Sequence, residues 1–210
     1  MTYSNIDFDN KTILITGGAG FVGSNLAFYF QEYYKNSQVV VFDCFRSGST
    51  FPNGNLKSFG HYKNLIGFTG NVICGDINNK DDLKLLDAYT FDYIFHQAAI
   101  SDTRVDNQKI IMQTNVNSFY DLLEKAKVDN SVMVYASSAA TYGNLPSPQT
   151  VGNENPENPY GYSKYMMDQI AIRYSNGNPE MTILGLKYFN VYGPREYFKA
   201  KTSSMVIQLG

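Results

Sequence analysis

The sequence has little cysteine, no surplus of positive charge and no apolar stretch long enough to cross a bilayer. Each scarcity excludes something. Cys44 and Cys74 are the only thiols. They do not form a metal-ligand pair, and a lone bridge is out of place in a reducing cytosol, so free and partly buried thiols are expected, with no metal site. A net charge of −2 and a pI near 5.7 give no basic footprint for nucleic acid. The apolar runs fall short of a membrane span, and polar Met1–Asn10 lacks the apolar core of a signal peptide. Cytoplasmic residence, away from any membrane, is the expectation. At 210 residues and 43% hydrophobic content, the chain can bury a substantial core as one large domain, or one domain and the beginning of another. It has no internal repeat and no low-complexity segment.

What is present is a β-branched run, Thr12–Thr16, that meets glycines at Gly17, Gly20 and Gly23 and passes at once into an amphipathic segment. In a strand–turn–helix unit Gly17 makes the tight turn, Gly20 admits a pyrophosphate close to the backbone, and Gly23 lets helix and strand pack. The helix start at Phe21, Val22 and Gly23 offers free N–H groups and the positive end of its dipole to phosphates. A second apolar run, Val39–Phe42, ends in Asp43, 20 residues beyond Gly23, where a carboxylate meets an adenosine ribose. Glycines also punctuate ordinary turns, but strand, helix and acid together predict dinucleotide binding. Asp43 favours a free 2′-hydroxyl and hence NAD, whereas Arg46, three residues on, suits the 2′-phosphate of NADP.

Further strands are expected at Gln38–Phe42, Val72–Cys74, Tyr93–Phe95, Val132–Tyr135 and Thr182–Tyr188. Helices are expected at Phe21–Tyr34, at Asp81–Tyr89 capped by Asn79, within Gln108–Lys127, at Pro159–Tyr174 and from about Ser203. Strands alternating with helices of this length predict an α/β fold, a doubly wound parallel (Rossmann) sheet with helices on both faces. The Gly- and Pro-punctuated stretch Asp43–Gly70 is too long for a plain connection inside a compact domain, which marks it as functional or as holding short elements.

A second signal is Asn158-Pro-Tyr-Gly-Tyr-Ser-Lys164. Asn158 caps a helix and Pro159 fits its first turn, so Tyr160 and Lys164 fall at i and i+4 on one face. A neighbouring ammonium favours phenolate, which suits Tyr160 to acid/base work on an alcohol. Tyr-x-x-x-Lys also arises by chance on solvated helices. Upstream, Val132–Tyr135 leads into Ser137 and Ser138, hydroxyls at the carboxyl end of a central strand, where open α/β sheets bind ligands. Serines there also form ordinary turns.

Thr16-Gly-Gly-Ala-Gly-Phe-Val-Gly23, Ser137-Ser-Ala-Ala-Thr-Tyr-Gly143, Tyr160-Gly-Tyr-Ser-Lys164 and Lys187-Tyr-Phe-Asn-Val-Tyr-Gly-Pro-Arg-Glu196 stand in this order. The set resembles the extended short-chain dehydrogenase/reductase family of nucleotide-sugar epimerases and dehydratases, and most of all its ADP-heptose 6-epimerase branch. The resemblance implies a cytoplasmic isomerase that inverts C6″ of ADP-glycero-manno-heptose on a bound NADP, with NAD as the alternative, for lipopolysaccharide core. It implies Tyr160, Lys164 and Ser138 as the active-site set and Asp76 and Ile77 by the adenine. Gln97, Ala98, Ala99 and Asn115 fall by the nicotinamide, with Cys44 and Val191 along the cofactor and Asn190 at substrate. A second, opposed acid/base is implied just beyond Glu196; Lys199 matches by count from Gly193, and Lys201 is its rival. The family also implies a homo-oligomer, and a smaller substrate domain that begins near residue 196 and would be truncated at residue 210, with the dinucleotide-binding domain spanning 1–195. Ala139 and Ala140 stand where a dehydratase would need a carboxylic acid. A 4-epimerase of UDP-sugars and a catalytically silent dinucleotide-binding module are the remaining readings.

Overall fold

The computed structural model describes residues 6–209, without the side chains of residues 200 and 201. Six strands form one parallel sheet in the order β3-β2-β1-β4-β5-β6: β1 Thr12–Thr16, β2 Gln38–Asp43, β3 Asn71–Cys74, β4 Tyr93–His96, β5 Val132–Ser138 and β6 Ile183–Tyr188. The order reverses between β1 and β4, and such a switch point opens a crevice at the carboxyl ends of the strands.

Alternation along the central strands sorts their side chains onto two cores. Ile13, Ile15, Val39 and Val41 face helix α1 (Phe21–Tyr33), packing on Ala27, Phe30 and Tyr34. Leu14, Val40, Phe42 and Ile94 face the other way, onto Phe119, Leu122 and Leu123 of α4 (Ser118–Asp129) and Met167 and Ile170 of α5 (Pro159–Gly177).

Three expectations change, while that of short elements within the Asp43–Gly70 stretch holds. The helix expected over Asp81–Tyr89 is one α-turn, α2 (Lys80–Leu83), followed by a 3₁₀ segment, Lys84–Ala88. Asn79 does cap it, accepting from the Asp81 N–H at 2.9 Å, but the inward Leu83 and Leu86 lie three apart, the period of the tighter coil. The long helix within Gln108–Lys127 is α3 (Gln108–Ile111), a π-turn at Met112–Asn117, and α4. The Asp43–Gly70 stretch holds a Thr50–Leu56 antiparallel bridge and a 3₁₀ turn, Tyr62–Leu65. Cys44 and Cys74 are free but exposed rather than partly buried, because both stand at the open ends of adjacent strands.

Helices do not cover the whole sheet: Leu184 and Leu186, on one face of β6, are exposed, as are Met205, Val206 and Leu209 of α6 (Met205–Leu209). Among the described residues, no helix is long and apolar enough to cross a membrane, and no group of His, Cys, Asp and Glu is placed to hold a metal ion.

Candidate active site

The switch-point crevice is a cavity of about 1180 Å³. The glycine loop forms one wall. Gly17 has φ +69°, and a Cβ there would lie 2.7 Å from the Ala98 nitrogen; at Gly23 it would lie 2.3 Å from the Gly17 carbonyl oxygen. No side chain caps α1, so the N–H groups at Phe21, Val22 and Gly23 border the cavity without a competing cap. Opposite, Gln97, Ala98 and Ala99 line the space at the end of β4, and both amide atoms of Gln97 are buried with no hydrogen-bond partner within the protein. A donor and an acceptor left unused beside a phosphate-binding turn suit a polar planar ligand. Asp76, Ile77 and Cys44 border the same cavity at the ends of β2 and β3. These residues fit a dinucleotide.

Asp43 lines the cavity as expected but is also held from behind, and Arg46 sits differently from expectation. The Asp43 carboxylate is buried and accepts the N–H groups of Ala19 at 2.9 Å and Phe45 at 2.8 Å, so it braces the glycine loop. Burial pushes its pKa up against those bonds. Arg46 does not line the cavity: its backbone N–H donates to Gly60 and its guanidinium to the Phe198 carbonyl. From the same stretch, Ser47, Ser49, Lys57 and Ser58 line the cavity instead. Sequence reasoning missed these four, because serines in a turn-rich stretch read as turn formers and a lone lysine there reads as solvated surface.

At the other end, α5 presents Tyr160 and Lys164, both lining the cavity. The Asn158 side chain caps the helix, accepting from the Gly161 N–H at 2.8 Å. Gly161 is needed there, since a Cβ would lie 2.5 Å from the Ala140 carbonyl oxygen. Lys164 is fully buried, its Nζ 6.0 Å from the Tyr160 ring centroid and 3.7 Å from Met167 Sδ.

Burial pulls Lys164 down to about 8, Asp168 alone opposing it. The Tyr160 phenol is pushed up by burial, and a hydrogen bond with Ser138 draws it back. This corrects the expectation that Lys164 favours a phenolate: burial dominates at both groups, so the resting phenol is protonated. Ser138, expected in the active-site set, does not itself line the cavity: its Oγ accepts the Ala140 N–H at 3.1 Å, and Ser137, its neighbour, lies in the wall. Behind them His96 is buried neutral, its pKa lowered to about 3 by burial and by Lys164, with Nδ1 2.7 Å from Thr16 Oγ1.

Asn115, expected beside the cofactor, is not in the cavity wall. It is buried in the π-turn, where its amide accepts from the Ile100 N–H and donates to the Ile100 carbonyl and to Ser163 Oγ. It joins the β4 loop to α5. Asn190 and Val191 do line the cavity after β6. So does Lys199, 3.8 Å from the buried carboxylate of Glu196 and 5.7 Å from the Phe21 ring centroid. The Lys201 side chain lies outside the described residues. Glu196 itself was missed: it accepts the Ser204 N–H and hydroxyl and so folds Ser203–Val206 against the cavity.

Comparison with known proteins agrees with this geometry. The model of the NAD dependent epimerase/dehydratase family matches residues 13–209. The solved structure of Helicobacter pylori ADP-L-glycero-D-manno-heptose-6-epimerase superposes with a TM-score of 0.91 at 54% identity, covering 100% of this chain and 64% of that one. UDP-N-acetylglucosamine 4-epimerase from Methanobrevibacter ruminantium gives 0.78 at 25% identity over 94% of this chain and 61% of that one. The dTDP-glucose 4,6-dehydratase from Bacillus anthracis, solved with NAD, gives 0.71 at 26% over 88% and 56%. The chain thus spans under two thirds of these relatives. It belongs to the NAD dependent epimerase/dehydratase family.

Proposed function

We propose that this chain carries the dinucleotide-binding part, residues 1–195, and the beginning of the substrate-binding region, residues 196–210, of an epimerase that inverts C6″ of ADP-glycero-manno-heptose. The observation that carries the reading is that Tyr160 and Lys199, from segments far apart in sequence, line the cavity that the glycine loop also borders. The 54% identity to a heptose epimerase supports ADP-heptose as the substrate.

NADP is the proposed cofactor, with NAD as its alternative. Lys57, Ser47, Ser49 and Ser58 line the cavity and suit a 2′-phosphate, whereas the Asp43 carboxylate, which lines it too and takes the Ala19 and Phe45 N–H groups, is what keeps NAD as the alternative. Nicotinamide, when bound, supplies the hydride chemistry. The chain's own residues bind and move protons. Gly17, Gly20 and the start of α1 hold the pyrophosphate, and Gln97 supplies its unpaired amide. Ser138 holds the Tyr160 phenol in line with the reacting hydroxyl. One group removes the C6″ hydroxyl proton as the carbon is oxidised to a carbonyl. After the carbonyl turns over, the group on the other face returns a proton as the carbon is reduced. Two faces require two acid/base groups, and Tyr160 and Lys199 fill those places, with Asn190 contacting substrate. The protein would act as a homo-oligomer in the cytoplasm, supplying a heptose precursor of lipopolysaccharide core.

The test is turnover of ADP-heptose against UDP-glucose by the full protein, with Tyr160→Phe and Lys199→Met beside it. Selective epimerisation of ADP-heptose is expected, with turnover lost by at least about a hundredfold in each variant and dinucleotide binding retained. Wild-type turnover in Tyr160→Phe would overturn the assignment. Selective turnover of UDP-glucose would make the protein a 4-epimerase, and dinucleotide binding with no turnover of either sugar would make it a silent module.

A further inference from the structure

Behind the reactive face of α5 lies a buried ionic cluster that the reaction does not touch. Asp168 stands one turn beyond Lys164. Its Oδ1 accepts from the Tyr135 hydroxyl at 2.8 Å, and its Oδ2 accepts from Ser137 Oγ at 2.9 Å and from Lys187 Nζ at 2.7 Å. Lys187, on β6, also donates to Thr141 Oγ1 at 2.8 Å and pairs with Glu154 at 3.2 Å. The side chains of Asp168, Lys187 and Glu154 are at most 15% exposed. One carboxylate therefore joins the helix that carries Tyr160 and Lys164 to the ends of β5 and β6. Thr141 extends the link by donating to the Ser138 carbonyl at 2.8 Å. Gly185 is part of the arrangement, because a Cβ there would lie 2.5 Å from the Tyr135 hydroxyl.

We infer that Asp168 is a positioning residue of this site: it fixes α5 against the carboxyl ends of β5 and β6 and supplies the negative charge that keeps the Lys164 ammonium protonated in a buried place. The inference rests on the proposed function only for why a charged Lys164 matters: an ammonium beside Tyr160 would favour the phenolate as the proton moves. Among the described residues, Asp168 is the one carboxylate that acts on Lys164. Its own helix offers Asp168 and the Tyr160 ring, and β4 offers His96, held neutral by burial. Tyr135 and Ser137 of β5 and Lys187 of β6 surround the Asp168 carboxylate, and Glu154 pairs with Lys187 beyond it. A buried ion pair without this role would serve packing alone.

The two roles separate in a titration of the full protein without substrate, using lysines labelled with ¹³C at Cε and the Lys164 signal identified by its loss in Lys164→Arg. In Asp168→Asn the Lys164 midpoint should fall by about one pH unit or more from its wild-type value. In Lys187→Met, which breaks the same link but leaves the carboxylate, it should stay or rise. Asp168→Glu should restore most of the shift. Dinucleotide affinity measured against pH should lose its alkaline limb earlier in Asp168→Asn than in Lys187→Met. Equal midpoints in Asp168→Asn and wild type, or equal falls in both variants, would overturn the inference. If Asp168→Asn does not fold, Tyr135→Phe, which removes one bond to Oδ1 and keeps every charge, must leave the Lys164 midpoint within about half a unit of wild type, and a fall of a unit would overturn the inference. A protein that binds no dinucleotide would end the proposed function while leaving the titration readable.

Discussion

At the scale of the residue, burial decides the chemistry of the site. Lys164 keeps its charge at neutral pH against desolvation that lowers it from 10.5 to about 8. A lysine whose folded pKa lies below its unfolded value costs stability while both states are protonated, and the cost lifts as pH rises from the folded value to the unfolded one. Lys164→Met should therefore unfold at higher urea than wild type at pH 7, by on the order of 3 kcal/mol. The gain should shrink between pH 8 and 10.5, while dinucleotide-dependent function is lost. Equal stability at pH 7 would show that the amine is already neutral or solvated. Gly23 makes the opposite case. A Cβ 2.3 Å from the Gly17 carbonyl forces the turn open, so Gly23→Ala should cost about 1–3 kcal/mol and weaken dinucleotide binding at least tenfold by calorimetry.

At the scale of the element, α5 brings Tyr160 and Lys164 to the cavity, and its first turn sets the aim of Tyr160. The Asn158 cap meets the Gly161 N–H, two residues after the Pro159 that starts the helix. Asn158→Ala should lower the unfolding free energy by about 1 kcal/mol and, if the proposed function holds, reduce kcat more than dinucleotide affinity. A change in affinity alone would place the capping effect elsewhere. The π-turn before α4 shows the same economy of means: it turns Asn115 inward to hold Ile100 and Ser163, tying the β4 loop to α5. The 3.6-residue pattern of Gln108–Lys127 contains no mark of that extra residue, because a π-turn keeps the helix direction and only side-chain partners reveal it.

At the scale of the whole molecule, the sheet is closed by helices at its centre and open at β6, where Leu184 and Leu186 are exposed. A chain of residues 1–210 should bind a hydrophobic dye at this edge, and Leu184→Lys with Leu186→Lys should lower dye binding at least twofold and raise the monomer fraction in sedimentation. Unchanged dye binding would place the apolar surface elsewhere. Much of the molecule was nonetheless legible in one dimension. The glycine spacing, the alternation of strands with helices, and the Tyr160–Lys164 pair each follow from local periodicity and turn chemistry, which are carried by neighbouring residues. Asp43 and Arg46 were not legible in that way. Both stand where a ribose or its phosphate would be read, yet one braces the Ala19 turn and the other reaches Phe198, 152 residues away. The Asp168–Lys187–Glu154 cluster, the inward turn of Asn115 and the protonated state of Tyr160 depend likewise on burial and on partners from distant segments. The sequence by itself determined the elements and the dinucleotide loop, because those rest on contacts along the chain; only the tertiary structure decided which charges meet and which are dried, because desolvation and ion pairing are properties of the packed whole.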